Sequence, residues 1–358
     1  MKRTRNIMVA VAMAATLSLA ACGSDDGGDS GSDSSNGKIG VILPDTKSSV
    51  RWESADRPAL EAAFKDADVD YTIQNAEGDA EKMATIADGM IADGVTVLAI
   101  VNLDSDSGAA IQEKAASQGV KTIDYDRLTL GGSADYYVSF DNTKVGELQG
   151  QGLADCLGDE SANIVYLNGS PTDNNATLFS AGAHSVLDPI TSYTKVGEQA
   201  VPDWDNEQAV TIFEQLYTQA GGNVQGVYAA NDGLAGSVIS ILEKNGQAGQ
   251  VPVTGQDATV EGLQNILAGT QCMTVYKSAK LEAGALADAA IALVKGEDAD
   301  TNGTTEDSEG DRDVPSILLT PQSITKDNVK SVIDDGGAKA EDVCAGDFAA
   351  LCEAAGIS

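Results

Sequence analysis

A chain of 358 residues with 42% apolar side chains has material for two cores of ordinary size. It carries 22 basic against 55 acidic residues, a formal charge of −33, which excludes nucleic acid and anionic lipid as partners. A single histidine, five cysteines without a Cys-x-x-Cys spacing, and no Gly-rich dinucleotide motif after the first strand leave no signature of a metal or a cofactor, and none is expected.

The first residues concern compartment rather than fold. Lys2, Arg3 and Arg5 precede an apolar run at 7–21, and Leu19, Ala20 and Ala21 stand directly before Cys22. This is the pattern of a lipoprotein signal, 1–21, with Cys22 as the acylated first residue of the mature chain. Fifteen residues are too few to cross a membrane comfortably. The segment 23–37, GSDDGGDSGSDSSNG, has no apolar side chain to bury and reads as a flexible tether. The folded part is therefore expected outside the cytoplasm, held at the outer face of the cytoplasmic membrane by its lipid. Loss of the signal leaves 19 basic and 55 acidic residues, a charge of −36 that serves solubility.

From residue 38 onward short apolar runs alternate with helical patterns. Strands are predicted at 38–44 and 70–75 around a helix at 56–67, with Leu60, Ala63 and Phe64 on one face. Met83, Ile86, Met90 and Ile91 recur at helical spacing, and 95–101 is a continuous apolar run, as in a strand covered on both faces. A helix around 111–117 ends at Gly119, and strands at 120–125 and 136–140 follow. The rhythm restarts with helices at 143–157, 174–187, 205–220 and 232–245 between strands at 162–168, 194–201, 224–229 and 251–256. A strand at 272–276, a helix at 281–295, an acidic loop to Asp313 and a strand at 314–320 close the series. The α/β class with two doubly wound, Rossmann-like lobes accounts for this better than one sheet of a dozen strands.

Of the cysteines that follow the signal, Cys344 and Cys352 are close enough in sequence to close a short loop, while Cys156 and Cys272 either pair or stay buried and free. Six polar clusters stand just after predicted strands, where α/β proteins bind ligands. They run from Lys47 to Trp52, at Asp126 and Arg127, from Ser170 to Asn175, and at Asn231–Asp232, Gln256–Asp257 and Tyr276–Lys277. Any one is accounted for by a helix cap, and Asn174, Asp232 and Thr259 occupy cap positions. Six together, with both tryptophans of the chain, Trp52 and Trp204, in loops, point instead to a polyol ligand. A sugar ring offers flat C–H faces for indole and hydroxyls for carboxylates and amides.

The stretches KIGVILPDTKSSVRW, IDYDRL, SFDNTKVGELQ, NGSPTDNNA, AANDG, GQDA and MTVYK, in this order, resemble the periplasmic sugar-binding proteins of ABC importers, in particular the xylose-binding and multiple-monosaccharide-binding branch. The resemblance spans roughly 38–340. It implies a type I periplasmic-binding-protein fold, two lobes joined by a three-stretch hinge, with crossings near Phe140–Asn142, near Tyr276–Lys277 and before Val314. It assigns 38–141 plus 278–312 to the first lobe and 142–277 plus 313–358 to the second. By motif, Trp52 and Trp204 sandwich the sugar, Arg51 and Lys277 donate to its oxygens, and Asp126, Asp173, Asn175, Asn231 and Asp257 bond its hydroxyls. Lys47 and Arg127 are carried over with them. Its implied partners are a neutral monosaccharide of xylose, glucose, galactose or arabinose type and the permease subunits, with the binding protein a monomer.

Rival functions fare less well on the residues. His184 falls within a helical pattern away from the clusters, which argues against a Ser/His/Asp hydrolase. Asp126, Asp173 and Asp257 could serve as glycosidase carboxylates, but hydroxyl binding already explains all three. A repressor with the same two-lobed core needs a basic DNA-binding segment, which is missing here. Presentation of the sugar to a chemoreceptor or sensor kinase uses the same pocket and stays open as an alternative to transport.

Overall fold

The computed structural model describes residues 37–357; the signal, Cys22 and the tether up to residue 36 lie outside the described residues. The first lobe is a seven-stranded sheet. Its strands are β1 (Lys38–Leu43), β2 (Tyr71–Asn75), β3 (Val95–Ile100), β4 (Lys121–Tyr125), β5 (Tyr136–Phe140), β10 (Gly303–Asp307) and β11 (Arg312–Leu319), in the order β10-β11-β5-β4-β3-β1-β2. All pairs are parallel except the β10–β11 hairpin at one edge.

The two-residue period of the strands sorts their side chains between two layers. Ile39, Val41, Leu43, Val97 and Ala99 pack on helices α1 (Arg57–Asp66) and α9 (Ala279–Val294), through Leu60, Phe64, Ala283 and Leu286. Ile42, Leu98 and Ile100 face α2 (Ala80–Ala92) and α3 (Ser105–Ser117), through Met83, Ile86, Met90 and Ile111. Both faces of β1 and β3 are buried, which is why 95–101 reads as an unbroken apolar run.

In the second lobe β6 (Ala162–Asn168) lies between β7 (Tyr193–Ala200) and β8 (Gly226–Ala229), while β9 (Thr274–Tyr276) pairs with β12 (Gln322–Ile324). Residues 252–255 join the two pieces: Val227 N donates to Pro252 O, and Cys272 N to Val253 O, each at 2.9 Å. The strand predicted at 251–256 is therefore in place but reduced to a bridge at Val253. The Thr254 hydroxyl takes the ladder position opposite Ala229, accepting its N–H at 3.0 Å and donating to its carbonyl at 3.1 Å. Helices α4 (Asn142–Leu157), α5 (Asn174–Leu187), α6 (Asn206–Gln219), α7 (Asp232–Lys244) and α8 (Val260–Ala268) surround this sheet. The short helices α10 (Val329–Asp334), α11 (Ala340–Val343) and α12 (Ala349–Ala354) follow β12 and cover α8. Among the described residues no helix is long and apolar enough to cross a membrane.

Three crossings link the lobes. The first, at Asp141, joins β5 to α4, and the second, between Tyr276 and Ala279, joins β9 to α9, both as expected. The third is not before Val314: β11 lies parallel to β5, with Ser316 opposite Tyr137 and Leu319 opposite Phe140. Residues 313–319 therefore belong to the first lobe, and the chain crosses at 320–321. The apolar run could complete either sheet, and Val314 finds its place beside Leu128 and Tyr137 at the open edge of β5. The acidic segment expected to be a loop up to Asp313 contains β10, whose hairpin is pinned by the buried Asp307 carboxylate accepting from the N–H groups of Gly131 and Gly310.

Both cysteine questions resolve as disulfides, Cys344–Cys352 in the tail and Cys156–Cys272 between α4 and the approach to β9, with Cα separations of 5.7 and 6.5 Å.

Candidate ligand-binding site

A polar cavity lies between the lobes at the carboxyl ends of their strands, where α/β proteins bind ligands. From the first lobe Arg51 and Trp52 come from the loop after β1, and Asp126 and Arg127 from the end of β4. The second lobe supplies Asp173 and Asn175 at the start of α5, Trp204 after β7, Asn231 before α7, and Asp257. Lys277 reaches in from the second crossing. Ten of the eleven sequence-assigned residues thus meet in one cavity. Lys47 does not: it is exposed and faces the outer cleft with Glu77 and Asp205, since the turn at 45–48 is tied to Asp45 Oδ1 through the N–H groups of Lys47 and Ser48.

Helix caps are made by residues that also line the cavity. Asp173 Oδ1 accepts from Asn175 N and Asn231 Oδ1 from Leu234 N, which caps α5 and α7. The caps are therefore one residue earlier than Asn174 and Asp232, while Thr259 caps α8 as expected. Capping uses the Oδ1 atom of each; Asp173 Oδ2 is taken up by the Trp204 indole, and both residues line the cavity. Asp232 is instead buried under the lobe, where its carboxylate accepts from Thr259, Gln271 and Thr274.

The tryptophans line the cavity from opposite lobes, 3% and 6% exposed. Each indole N–H is already engaged, Trp52 Nε1 with Ser48 Oγ and Trp204 Nε1 with Asp173 Oδ2, both at 3.1 Å. What remains for a ligand is the apolar ring face. Trp204 itself has φ of 55°, and Asp126 and Asp257 have φ of 61° and 97°. Left-handed conformations cost on the order of 1–3 kcal/mol each in residues other than glycine, and these three bear that cost where their side chains are aimed into the cavity.

Charge in the lining is balanced. Arg51, Arg127 and Lys277 face Asp126, Asp173 and Asp257, so Arg127 removes the single negative charge that a lining without it would carry. Asp126 is the hub: Arg51 Nη1 donates to its Oδ2 at 3.1 Å, Lys277 Nζ lies 3.5 Å from the same oxygen, and Asn175 Nδ2 reaches its Oδ1 at 3.1 Å. Burial alone would raise this carboxylate, but Lys277, Arg51 and Arg127 outweigh it and hold Asp126 at about 2. Burial wins at Asp257, which is raised despite Lys277 and Arg51. Arg127 Nε is 3.1 Å from Asp173 Oδ2 across the cleft but out of line for a hydrogen bond, which leaves that N–H available. Ser49 Oγ also crosses the cleft, donating to Asp257 Oδ2 at 3.3 Å.

Several cavity residues escaped the sequence reading. Ser48, Ser49 and Gln256 belong to the recognised clusters but carry no individual signal. Phe179 reads as core, although its place one helical turn after Asn175 puts both on one face of α5, where Lys277 Nζ sits 5.6 Å from its ring. His184 is away from the cavity, stacked on Tyr166 and bonded to Asp188 and Glu198.

Comparison with known proteins agrees with this geometry. The model of the periplasmic binding protein domain family matches residues 39–298. The chain is 38% identical over 303 residues to the D-xylose-binding periplasmic protein of Escherichia coli (strain K12), covering 84% of this chain and 90% of that protein. It is 34% identical over 326 residues to a multiple sugar-binding periplasmic receptor of Rhizobium radiobacter, with the same coverage. The structure of a carbohydrate transporter solute binding protein from Chloroflexus aurantiacus in complex with D-glucose superposes with a TM-score of 0.78 at 30% identity, covering 85% of this chain and 97% of that one. With a doubly wound core in each lobe, three crossings and a closed polar cavity between them, the chain belongs to the periplasmic binding protein domain family.

Proposed function

We propose that this protein is the extracytoplasmic substrate-binding component of an ABC sugar importer, held to the membrane by a lipid on Cys22, and that its ligand is a neutral aldopyranose. The observation that carries the ligand class is the pairing of two indole faces, one from each lobe, with a charge-balanced rim of Arg51, Arg127, Lys277, Asp126, Asp173 and Asp257. A hydroxyl donates to a carboxylate and accepts from a guanidinium or ammonium at once, so a polyol satisfies both signs of buried charge, whereas a phosphate or sugar acid adds a charge to a balanced lining. The xylose, multiple-sugar and glucose proteins among its relatives support a monosaccharide of that size. The arrangement binds and releases without bond breaking: Asp126 is held as an anion by three cations, and Asp173 is committed to the Trp204 indole and a helix cap. Permease docking by a monomer follows from the same reading.

Calorimetric titration with pentoses, hexoses, sugar phosphates and amino sugars tests it. Heat is expected from one or more neutral aldopyranoses, with no hydrolysis of labelled glycosides. Binding confined to a charged ligand would overturn the assignment.

A further inference from the structure

Arg51 reaches the cavity, but most of its hydrogen-bonding capacity points away from it. Nε and Nη2 form a fork on Asp56, at 2.9 Å to Oδ2 and 2.7 Å to Oδ1. Nη2 also donates to Glu282 Oε2 at 2.5 Å, and Nη1 to Asp126. Of five guanidinium N–H groups one, on Nη1, remains for a ligand. Asp56 is in turn fixed by Tyr125, whose hydroxyl donates to Oδ1 at 2.5 Å. Neither Asp56 nor Glu282 lines the cavity, and both are fully buried.

Three buried carboxyl groups on one guanidinium cannot all be ionised without a large cost. Asp56 accepts the fork, and Asp126 is held ionised by its own cations. Glu282 has a single partner, and its buried Oε1 has none among the described residues, where a carboxylate oxygen would be left without a donor. Resting on the reading of the cavity as a sugar site, we propose that Glu282 is a positioning residue that, as a neutral carboxylic acid, fixes together with Asp56 the direction of the one N–H that Arg51 gives the sugar.

The groups facing Glu282 agree on where the proton belongs. Burial is the largest influence; Asp126 and Asp56 repel a charge there, Arg51 and Lys277 favour it, and the balance raises Glu282 to about 8. Tyr125 from β4 and Tyr137 from β5 also face it, both held neutral by burial. Glu282 lies in the first turn of α9, directly after the second crossing, so closure over a sugar removes water from the Lys277–Asp126–Arg51 floor beside it. Closure therefore favours the neutral form. Since the bound state holds the proton more tightly than the open one, affinity is full below the pKa of the open state and falls as pH rises through it.

The test is calorimetric titration of D-xylose and D-glucose into the wild type, Glu282→Gln and Glu282→Leu from about pH 6.5 to about pH 9.5, with circular dichroism at each pH. Wild-type affinity is expected to fall several-fold as pH rises toward about 8, through the lower pKa of the open state, with proton uptake visible as a dependence of heat on buffer. Glu282→Gln, which keeps an uncharged acceptor for Arg51, should lose the alkaline fall and bind more tightly than Glu282→Leu at every pH. The leucine variant should be weaker by about tenfold or more while folded. A folded leucine variant with wild-type affinity, or a glutamine variant that keeps the alkaline fall, would overturn the inference and leave the sugar site standing. Should the leucine variant not fold, the comparison of glutamine with wild type still decides. Absence of heat from any neutral aldose in the wild type would overturn the sugar reading and this inference with it.

Discussion

Gly169 lies under the indole of Trp204: a Cβ placed on Gly169 would come within 2.0 Å of ring carbon Cη2 and 2.3 Å of Cζ2. The end of β6 is thus the floor on which the second-lobe tryptophan rests, and only a residue without a side chain leaves room for it. Gly169→Ala should tilt the ring and weaken sugar binding about tenfold, or about 1.4 kcal/mol, with secondary structure unchanged. Trp52→Ala and Trp204→Ala should each cost on the order of 2 kcal/mol, as buried aromatic anchors do. If Gly169→Ala binds as the wild type does, the ring is not held by this contact.

Closure should be visible as compaction. Bonds that cross the cleft, Ser49 to Asp257 and Asn175 to Asp126, exist only when the lobes are together, and a sugar that favours this state shifts the population toward it. Small-angle scattering is expected to show a smaller radius of gyration with saturating sugar. Asn175→Ala, which removes bonds from the second lobe to both the carbonyl and the carboxylate of Asp126, should require more sugar for the same change. Identical profiles with and without ligand would point to a rigid pair of lobes.

Folding stability should decline as pH rises from about 5 to about 8. Burial raises Asp124 and Asp232 to about 7 and Glu282 to about 8. His184 is raised by Asp188 and Glu198 in spite of the opposing effect of burial. Each of these groups has a folded pKa above its unfolded one, so its contribution is complete below the unfolded value and is lost as pH rises through the folded value. Asp126 and Glu198 act in the opposite sense; cationic or hydrogen-bonding partners overcome burial and hold both at about 2, so their contributions are lost only in stronger acid. The thermal midpoint should therefore peak near about pH 4–5, and a midpoint that climbs steadily from pH 5 to 8 would contradict the assignment.

The Cys156–Cys272 bridge closes a loop of sequence separation 116 and ties α4, just past the first crossing, to the strand that leads into the second. Replacing both cysteines with serine should cost about 2–4 kcal/mol, chiefly through the unfolded chain, and leave sugar affinity near that of the wild type. Chemical denaturation measures the first quantity and titration the second.

Attachment through Cys22 is checked by cell fractionation. Cys22→Ala should move the protein from the membrane to the soluble fraction, and quantitative retention in the membrane would contradict a lipid anchor.

Much of this is legible in the sequence because the doubly wound architecture places strand ends together, so clusters such as Asp126–Arg127 and Gln256–Asp257 group by their positions after apolar runs alone. Other features carried no such mark. Glu282, in the first turn of α9, looks like an ordinary acidic residue complementing a helix dipole; only the arrival of Arg51 from 231 positions away makes it part of the site. Gly169 reads as turn punctuation until Trp204 is seen above it. Lys47 belongs to the right loop, but the Asp45 turn sends it outward. The lobe of 313–319 depended on which sheet had an open edge, a tertiary fact that the alternation of apolar residues does not contain.

Asp126 joins ligand recognition to the hinge. Its carbonyl oxygen accepts from Tyr137, Ser139 and Asn175 while its carboxylate faces the cavity. A substitution there would alter the resting angle of the lobes together with the choice of hydroxyl, so selection for a new sugar cannot act on this position without also retuning the open-to-closed equilibrium. Asn231 is different: its Oδ1 caps α7 within one lobe, and its side chain lines the cavity. Asn231→Asp keeps the cap and reverses the hydrogen-bonding sense of the other atom, which makes it the better starting position for re-engineering the protein as a biosensor for a different epimer.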